Sequence, residues 1–305
     1  MDGDKRSYPS FKAYAKLVRL PNLFTAPPDV VLGAALASGI YSPASVSGIT
    51  GLITASILLY AAGTILNDYF DIAEDARNRP ERPLPSGEVS PRQALMLGIT
   101  LLLGGVVAAW VAVGPVAGAV AGCLALLIVL YDGIFKGSVV GYLFMGSARG
   151  LNVLLGTTVA VSSTVFSPQA AVVAGFIFLY IAAVTYMAEY ETGGTNSRPV
   201  LLAMGAMMLA ALGPLGFSLA YSSSWLNFAL VVGFDALFVG WTGRMLWTAY
   251  VNPIPGNIGP AVGACILGLT ALDAAFATIV GFRWAIIILA FGIPAIGLSR
   301  LFDVS

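Results

Sequence analysis

The sequence predicts an all-α, polytopic membrane protein with about nine to ten transmembrane helices. Hydrophobic residues make up 58% of the 305 residues, charged residues make up only 10%, and the mean hydropathy is +0.88. These values lie well outside the range of ordinary soluble domains. Apolar runs of about 18 or more residues recur along most of the chain, and each can cross a bilayer as a helix. Most runs have no polar stripe, which a helix of a soluble protein would need.

Ten candidate membrane helices follow one another along the chain. They are expected near 23–40, 49–73, 91–112, 115–132, 139–161, 167–189, 198–220, 225–250, 257–279 and 283–301. The connections near 41–48, 162–166 and 221–224 are short and uncharged, whereas 74–92 is rich in charge and proline. No shift in composition marks a second domain, so residues 1–305 are expected to form one membrane domain.

The basic residues predict the orientation of this bundle. With a cytoplasmic N-terminus, most arginines and lysines fall on the cytoplasmic side, as the positive-inside rule requires. Arg283 is the clear exception. The polar connection 74–92 then also faces the cytoplasm. The charged N-terminus continues into Lys12, Lys16 and Arg19, so no cleavable signal peptide is expected.

Several classes of chemistry are excluded by composition. The chain has no histidine, which removes Ser-His triads and most zinc sites. Cys123 and Cys265 lie in apolar segments, where cysteine behaves as a small hydrophobic residue. The formal net charge is zero, which gives no support for a nucleic-acid partner.

An acidic cluster at the end of the second predicted helix carries the functional prediction. Asp68, Asp71 and Asp75 are spaced i, i+3 and i+7, which places them on one face of an α-helix. Each close pair of carboxylates costs on the order of 4 kcal/mol at a dielectric near 20, so a cation or protonation must neutralise them. Carboxylate oxygens without Cys or His favour Mg²⁺, which often also binds substrate phosphates. Arg79 and Arg82 follow one loop later, where they can bind the remaining oxygens of a diphosphate.

The alternative interpretation is a solvated helix end of mixed charge. It is disfavoured because the acids adjoin a wholly apolar helix, where polar groups are costly. The pattern therefore predicts an enzyme that acts on a lipid diphosphate.

These residues also resemble a known family. The first aspartate-rich motif of the UbiA superfamily of intramembrane prenyltransferases is similar to Asn67-Asp68-x-x-Asp71-x-x-x-Asp75 and the following Arg79-Pro80-x-Arg82-Pro83-Leu84-Pro85-Ser86-Gly87. The opening motif resembles Arg19-x-x-Asn22, and the Tyr/Lys element resembles Tyr131-x-x-x-x-Lys136. The stretch 131–152 looks most like the EboC-like branch.

The resemblance, which covers most of the chain, implies a helical bundle around a central cavity, a prenyl diphosphate donor and Mg²⁺. It implies that Asn67, Asp68, Asp71 and Asp75 hold the Mg²⁺–diphosphate. Lys136 and nearby arginines, including Arg79 and Arg82, would bind phosphate. Arg19 and Asn22 would lie at the cavity mouth, and Tyr131 would contact the substrate.

The chain departs from the family where a second Asp-x-x-x-Asp motif is expected. Glu189 stands at the position of the second aspartate and Thr185 at that of the first. Thr185, Tyr186 and Glu189 share a helical face, so Glu189 is a candidate metal ligand and Tyr186 a candidate substrate contact. A simple charged helix end is the alternative.

Two polar residues fall within the fifth predicted helix. Arg149 and Asn152 are three residues apart and face the same way. A charge at this depth is a functional candidate, so Arg149 is expected to face the cavity and meet a phosphate or an acidic partner. A structural ion pair is the alternative.

The sequence therefore favours a Mg²⁺-dependent prenyltransferase with an unidentified acceptor, which is either a small molecule or a lipid. One rival is a membrane terpene cyclase, which would carry the same motifs. The other is a lipid carrier or transporter without chemistry. The position of the acids at the cytoplasmic edge, beside arginines, favours an enzyme over a transporter with a site at mid-membrane.

Overall fold

The computed structural model describes residues 10–40, 45–160, 167–191, 193, 195–221 and 224–299, and in these ranges the chain forms twelve α-helices and no strand. A 3₁₀ helix, Leu20–Thr25, precedes the second α-helix, and a π-helix, Tyr131–Phe135, follows the sixth. The α-helices are α1 (Phe11–Leu17), α2 (Pro27–Ile40), α3 (Val46–Phe70), α4 (Ile72–Asn78), α5 (Pro91–Val113), α6 (Pro115–Leu130), α7 (Val139–Thr157), α8 (Pro168–Ala188), α9 (Arg198–Tyr221), α10 (Trp225–Val251), α11 (Pro255–Val280) and α12 (Phe282–Ser299).

Nine helical segments of the described chain are long and apolar enough to cross a membrane, which confirms the predicted fold class. They correspond to nine of the ten predicted helices, with bounds that agree to within a few residues. The predicted connections near 41–48, 162–166 and 221–224 lie partly or wholly outside the described residues. The charged connection 74–92 contains most of the short helix α4 and a series of turns before Ser90 caps α5.

The first predicted helix, 23–40, is divided between two elements in the structure. Its first residues belong to the 3₁₀ helix, and the described part of α2 has 14 residues, or about 21 Å. Its side chains from Pro27 to Ala37 are all buried, and its neighbours are α3, α7, α11 and α12. A helix enclosed by protein is apolar on every side, which explains why its sequence resembles a full membrane span.

Helix α2 can be enclosed because it crosses α7 at two glycines. A Cβ atom at Gly33 would overlap the carbonyl oxygen of Val153, and one at Gly156 would overlap that of Val30. On another part of α7, Gly146 packs against the α8 backbone. The small residues of α7 therefore allow close helix packing, as expected for glycines at this spacing in membrane helices.

We expect Gly33→Ala to destabilise the protein by about 1–3 kcal/mol, because the added methyl group must push two helix backbones apart. Gly175→Ala, on α8, is the matched control, since nothing lies within 4 Å of a Cβ there and alanine favours a helix. Thermal unfolding of both purified variants in detergent would check this. Equal unfolding temperatures for the two variants would contradict the described α2–α7 contact.

One end of the bundle is covered by α1 and the connection between α4 and α5. Leu17 of α1 packs with Leu84 and Val89 of the connection, over Ile65 near the end of α3. These buried contacts hold the polar residues of the connection against the end of α3, where the acidic motif lies.

Candidate active site

A cavity of about 670 Å³ lies among α3, α6, α7 and α8, within the usual size range of small-molecule sites. Its polar end is formed where these helices terminate, near Asp71, Lys136 and Glu189. Its apolar wall is formed deeper in the bundle by residues such as Leu59 and Leu124. Leu59 is twelve residues before Asp71 on α3, or about 18 Å along a helix axis. The cavity thus combines a charged mouth with an apolar interior.

The acidic motif does not lie on one continuous helix, contrary to the expectation from its spacing. Helix α3 ends at Phe70, Asp71 has φ −89° and ψ 2°, and α4 begins at Ile72. The Asp71 carbonyl accepts hydrogen bonds from the backbone of Glu74 (2.9 Å) and Asp75 (2.8 Å). The chain therefore bends at Asp71, and its carboxylate contacts different partners from those of Asp68 and Asp75.

Arginines neutralise the two outer acids of the motif. Arg82 Nη1 lies 3.3 Å from Asp68 Oδ1 and 2.9 Å from Asp75 Oδ2. Arg19 Nη2 lies 3.1 Å from the same Asp68 oxygen. Both carboxylates are nearly buried, with 6% and 5% of their side-chain surface exposed. Two guanidinium groups thus compensate the charge of this pair.

The middle acid of the motif faces the cavity and is paired separately. Lys136 Nζ, which follows the π-helix, donates to Asp71 Oδ2. In the same region, Asn67 Nδ2 donates to Asp132 Oδ1 at 2.9 Å. All four residues line the cavity. The first motif and the Tyr/Lys element therefore meet at one end of the cavity.

The end of α8 completes the cavity mouth. Thr185, Glu189 and Glu191 line it, and Glu191 Oε1 lies 3.7 Å from Arg79 Nη2. Partial enclosure in the cavity mouth raises the pKa of Glu189 above its usual value; Lys136 opposes this rise, whereas the nearby acids add to it. Glu189, a candidate metal ligand from the sequence, thus lies in the same cavity mouth as Asp71.

Arg149 and Asn152 hold the break that precedes α2. Arg149 donates to the Thr25 carbonyl (2.8 Å), the Thr25 hydroxyl (3.0 Å) and Asp29 Oδ2 (2.8 Å). Asn152 donates to the Ala26 carbonyl and to Asp29 Oδ2, both at 2.9 Å. Both side chains satisfy groups left free where the 3₁₀ helix ends. Arg149 and Asn152 also line the cavity. The acidic partner of Arg149 in the structure is Asp29.

The structure brings most of the predicted site residues to one cavity. Those that line it are Arg19, Asn22, Asn67, Asp71, Asp75, Arg79, Tyr131, Lys136, Arg149, Asn152 and Glu189. Asp68 and Arg82 lie behind the wall and contact residues that line it. Tyr186 lies outside the cavity lining and packs against Tyr142 and Tyr190, with ring centroids 5.2 and 5.8 Å away.

Three acidic cavity residues were not predicted: Glu74, Asp132 and Glu191. Glu74 lies inside the aspartate motif, and Asp132 follows the tyrosine of the Tyr/Lys element, so both had a signal in the sequence. Within the described ranges, no three Asp, Glu or Cys side chains are already grouped closely enough to hold a metal ion. Asp68 and Asp75 are instead paired with arginine, Asp71 with Lys136 and Glu191 with Arg79.

The fold and site define a polytopic membrane protein with an acidic cavity mouth at one end of a helical bundle. The chain belongs to the UbiA prenyltransferase family, whose profile matches residues 27–254. The proposed relation to the EboC-like branch stays a prediction.

Curated relatives of the chain include digeranylgeranylglyceryl phosphate synthases. That of Methanosarcina barkeri is 30% identical over 161 residues, which cover 49% of this chain and 55% of the relative. That of Methanothrix thermoacetophila is 26% identical over 269 residues, which cover 78% of this chain and 91% of the relative. The chain spans only 39–55% of the length of the first several relatives.

Solved structures of similar fold include a UbiA homologue from Archaeoglobus fulgidus bound to GPP and Mg²⁺. It has a TM-score of 0.62 and 15% sequence identity, and the match covers 93% of this chain and 99% of that one. This likeness confirms the fold.

Proposed function

We propose that the protein is a Mg²⁺-dependent intramembrane prenyltransferase that ionises a prenyl diphosphate and transfers the prenyl group to an acceptor. The charge of the cavity lining carries this proposal. Six acidic and four basic residues line the cavity, and its deeper wall is apolar. A diphosphate is repelled by excess carboxylates unless divalent cations bind with it, whereas a prenyl chain fits an apolar interior.

The residues at the cavity mouth fit Mg²⁺. The available ligands are carboxylate and amide oxygens, the donors that Mg²⁺ prefers, and the described cavity lining contains no cysteine. Asp71, Asp75, Glu189 and Asn67 would hold the ion, with Asp68 behind them. When bound, Mg²⁺ supplies positive charge that stabilises the diphosphate leaving group. The similar structure from Archaeoglobus fulgidus, which was solved with GPP and Mg²⁺, supports Mg²⁺ as the cation of this proposal.

The residues of the chain have separate roles in the proposed reaction. At the mouth, Lys136 is paired with Asp71 and Arg79 with Glu191. In these positions both cations can bind phosphate oxygens. Leu59, Leu124 and Ile128 line the apolar wall and exclude water from an allylic cation. The Tyr60 and Tyr131 rings also line the cavity and can stabilise a cation through their faces. Because the chain has no histidine, a carboxylate, a tyrosine or the released diphosphate accepts the acceptor's proton.

The acceptor in this proposal is a lipid that carries a glyceryl phosphate. Several curated relatives are named digeranylgeranylglyceryl phosphate synthase. The phosphate of such an acceptor would bind the basic groups at the mouth together with the diphosphate of the donor. The distribution of arginine and lysine supports a cytoplasmic N-terminus and a cytoplasmic cavity mouth.

A reconstituted assay tests this function. Purified protein in lipid nanodiscs is given geranylgeranyl diphosphate and geranylgeranylglyceryl phosphate, with Mg²⁺ or with EDTA. We expect Mg²⁺-dependent pyrophosphate release and a prenylated acceptor in the mass spectrum. A cyclised hydrocarbon formed without acceptor would indicate a terpene cyclase instead. Donor binding without pyrophosphate release under any condition would favour a lipid carrier.

A further inference from the structure

The π-helix places an additional acid beside the predicted metal site. Tyr131 and Asp132 are consecutive, yet both line the cavity and only 7% and 8% of their surfaces are exposed. Such π-helical turns often occur at functional sites because they redirect side chains. Asp132 has no ion-pair partner within 4 Å among the described residues, since Lys136 pairs with Asp71. Its polar partner is the Asn67 amide, at 2.9 Å.

This contact determines which atom of the Asn67 amide faces the cavity. An ionised carboxylate only accepts hydrogen bonds, whereas an amide has an NH₂ donor group and an oxygen acceptor. In the structure the NH₂ group turns towards Asp132 and donates to its Oδ1. The opposite orientation would bring two acceptor oxygens together. The Asn67 oxygen is consequently left available on the side away from Asp132.

We propose that Asp132 is a positioning residue that fixes the Asn67 amide so that its oxygen, and not its NH₂ group, faces the cation site. This inference depends on the proposed function, because it assumes that a divalent cation binds at the cavity mouth. Mg²⁺ binds oxygen ligands, and an NH₂ group directed at the cation would repel it. Partners that orient metal ligands typically affect metal affinity by about 10–100-fold.

The test measures cation binding separately from turnover. Mn²⁺ is titrated by electron paramagnetic resonance in the presence of geranylgeranyl S-thiolodiphosphate, which resists ionisation. Wild type is compared with Asp132→Ala, Asn67→Ala and the double variant. We expect Asp132→Ala to weaken Mn²⁺ binding about tenfold. In the Asn67→Ala background, the same change is expected to have less than about a twofold effect, because Asp132 acts through Asn67.

Two results would overturn the inference. Unchanged Mn²⁺ affinity in Asp132→Ala would show that Asp132 does not position the amide. An equal loss in the Asn67→Ala background would show that Asp132 contacts the cation or the substrate directly. If Asp132→Ala does not fold, Asp132→Asn is used instead. This variant keeps an acceptor oxygen, so a smaller loss of Mn²⁺ affinity is expected. In the Asn67→Ala background, Asp132→Asn is expected to cause no loss. Failure of wild type to bind Mn²⁺ with the analogue would overturn the proposed function itself, which separates the two conclusions.

Discussion

Asp71→Ala is expected to reduce pyrophosphate release by about 100-fold or more, the loss typical when one electrostatic group of an active site is removed. Asp71 is the acid of the motif that both lines the cavity and lies at the bend between α3 and α4. Its removal takes one oxygen ligand from the proposed cation site and leaves the Lys136 ammonium unpaired at the mouth. The initial rate with geranylgeranyl diphosphate and saturating Mg²⁺ measures the effect.

Glu88→Ala is the matched control for Asp71→Ala. Glu88 is an exposed acid in the connection before α5 and does not line the cavity. We expect its rate to stay within about twofold of wild type, because exposed charges contribute little. A residual rate in Asp71→Ala close to that of Glu88→Ala would remove Asp71 from the catalytic site.

Arg149→Leu is expected to destabilise the protein by about 3–5 kcal/mol, because removing one partner of a buried ion pair leaves the other charge uncompensated. Asp29 is completely buried, and Arg149 has 12% of its side-chain surface exposed. The change also leaves the Thr25 carbonyl and hydroxyl without their donor. A lower unfolding temperature in detergent, followed by intrinsic fluorescence, would measure the loss.

Two further variants separate the ion pair from a general effect of arginine removal. Arg244→Leu changes an exposed arginine on α10 that has no ion-pair partner among the described residues, so its stability is expected to change by about 0.5 kcal/mol or less. The double variant Arg149→Leu with Asp29→Leu removes both charges and is expected to recover part of the loss. A double variant less stable than Arg149→Leu would contradict the ion-pair explanation.

The fold class was predictable because membrane helices are encoded by local composition. Nine predicted spans needed only apolar length, and the basic residues between them suggested the orientation. The enclosure of α2 was not predictable, because a helix enclosed by protein and a helix that faces lipid have the same apolar composition. Only the neighbouring helices, which are distant in sequence, distinguish the two.

The site was predictable where its residues belong to one motif. The spacing of Asp68, Asp71 and Asp75 indicated a common location, but it did not reveal the bend at Asp71. Nor did it show that Arg82 would bridge the two outer acids, because that contact depends on how the connection folds back over α3. The pairing of Asn67 with Asp132 joins residues 65 positions apart, and no local pattern encodes it.

The enclosure of α2 also has a consequence for biogenesis. Its surrounding partners α7, α11 and α12 are synthesised after α2, so they are absent when α2 leaves the ribosome. The packing around α2 is therefore completed only when α11 and α12 have been added. C-terminal truncations that remove α11 and α12 would therefore leave α2 packed on α3 and α7 but uncovered on the side that the last two helices occupy.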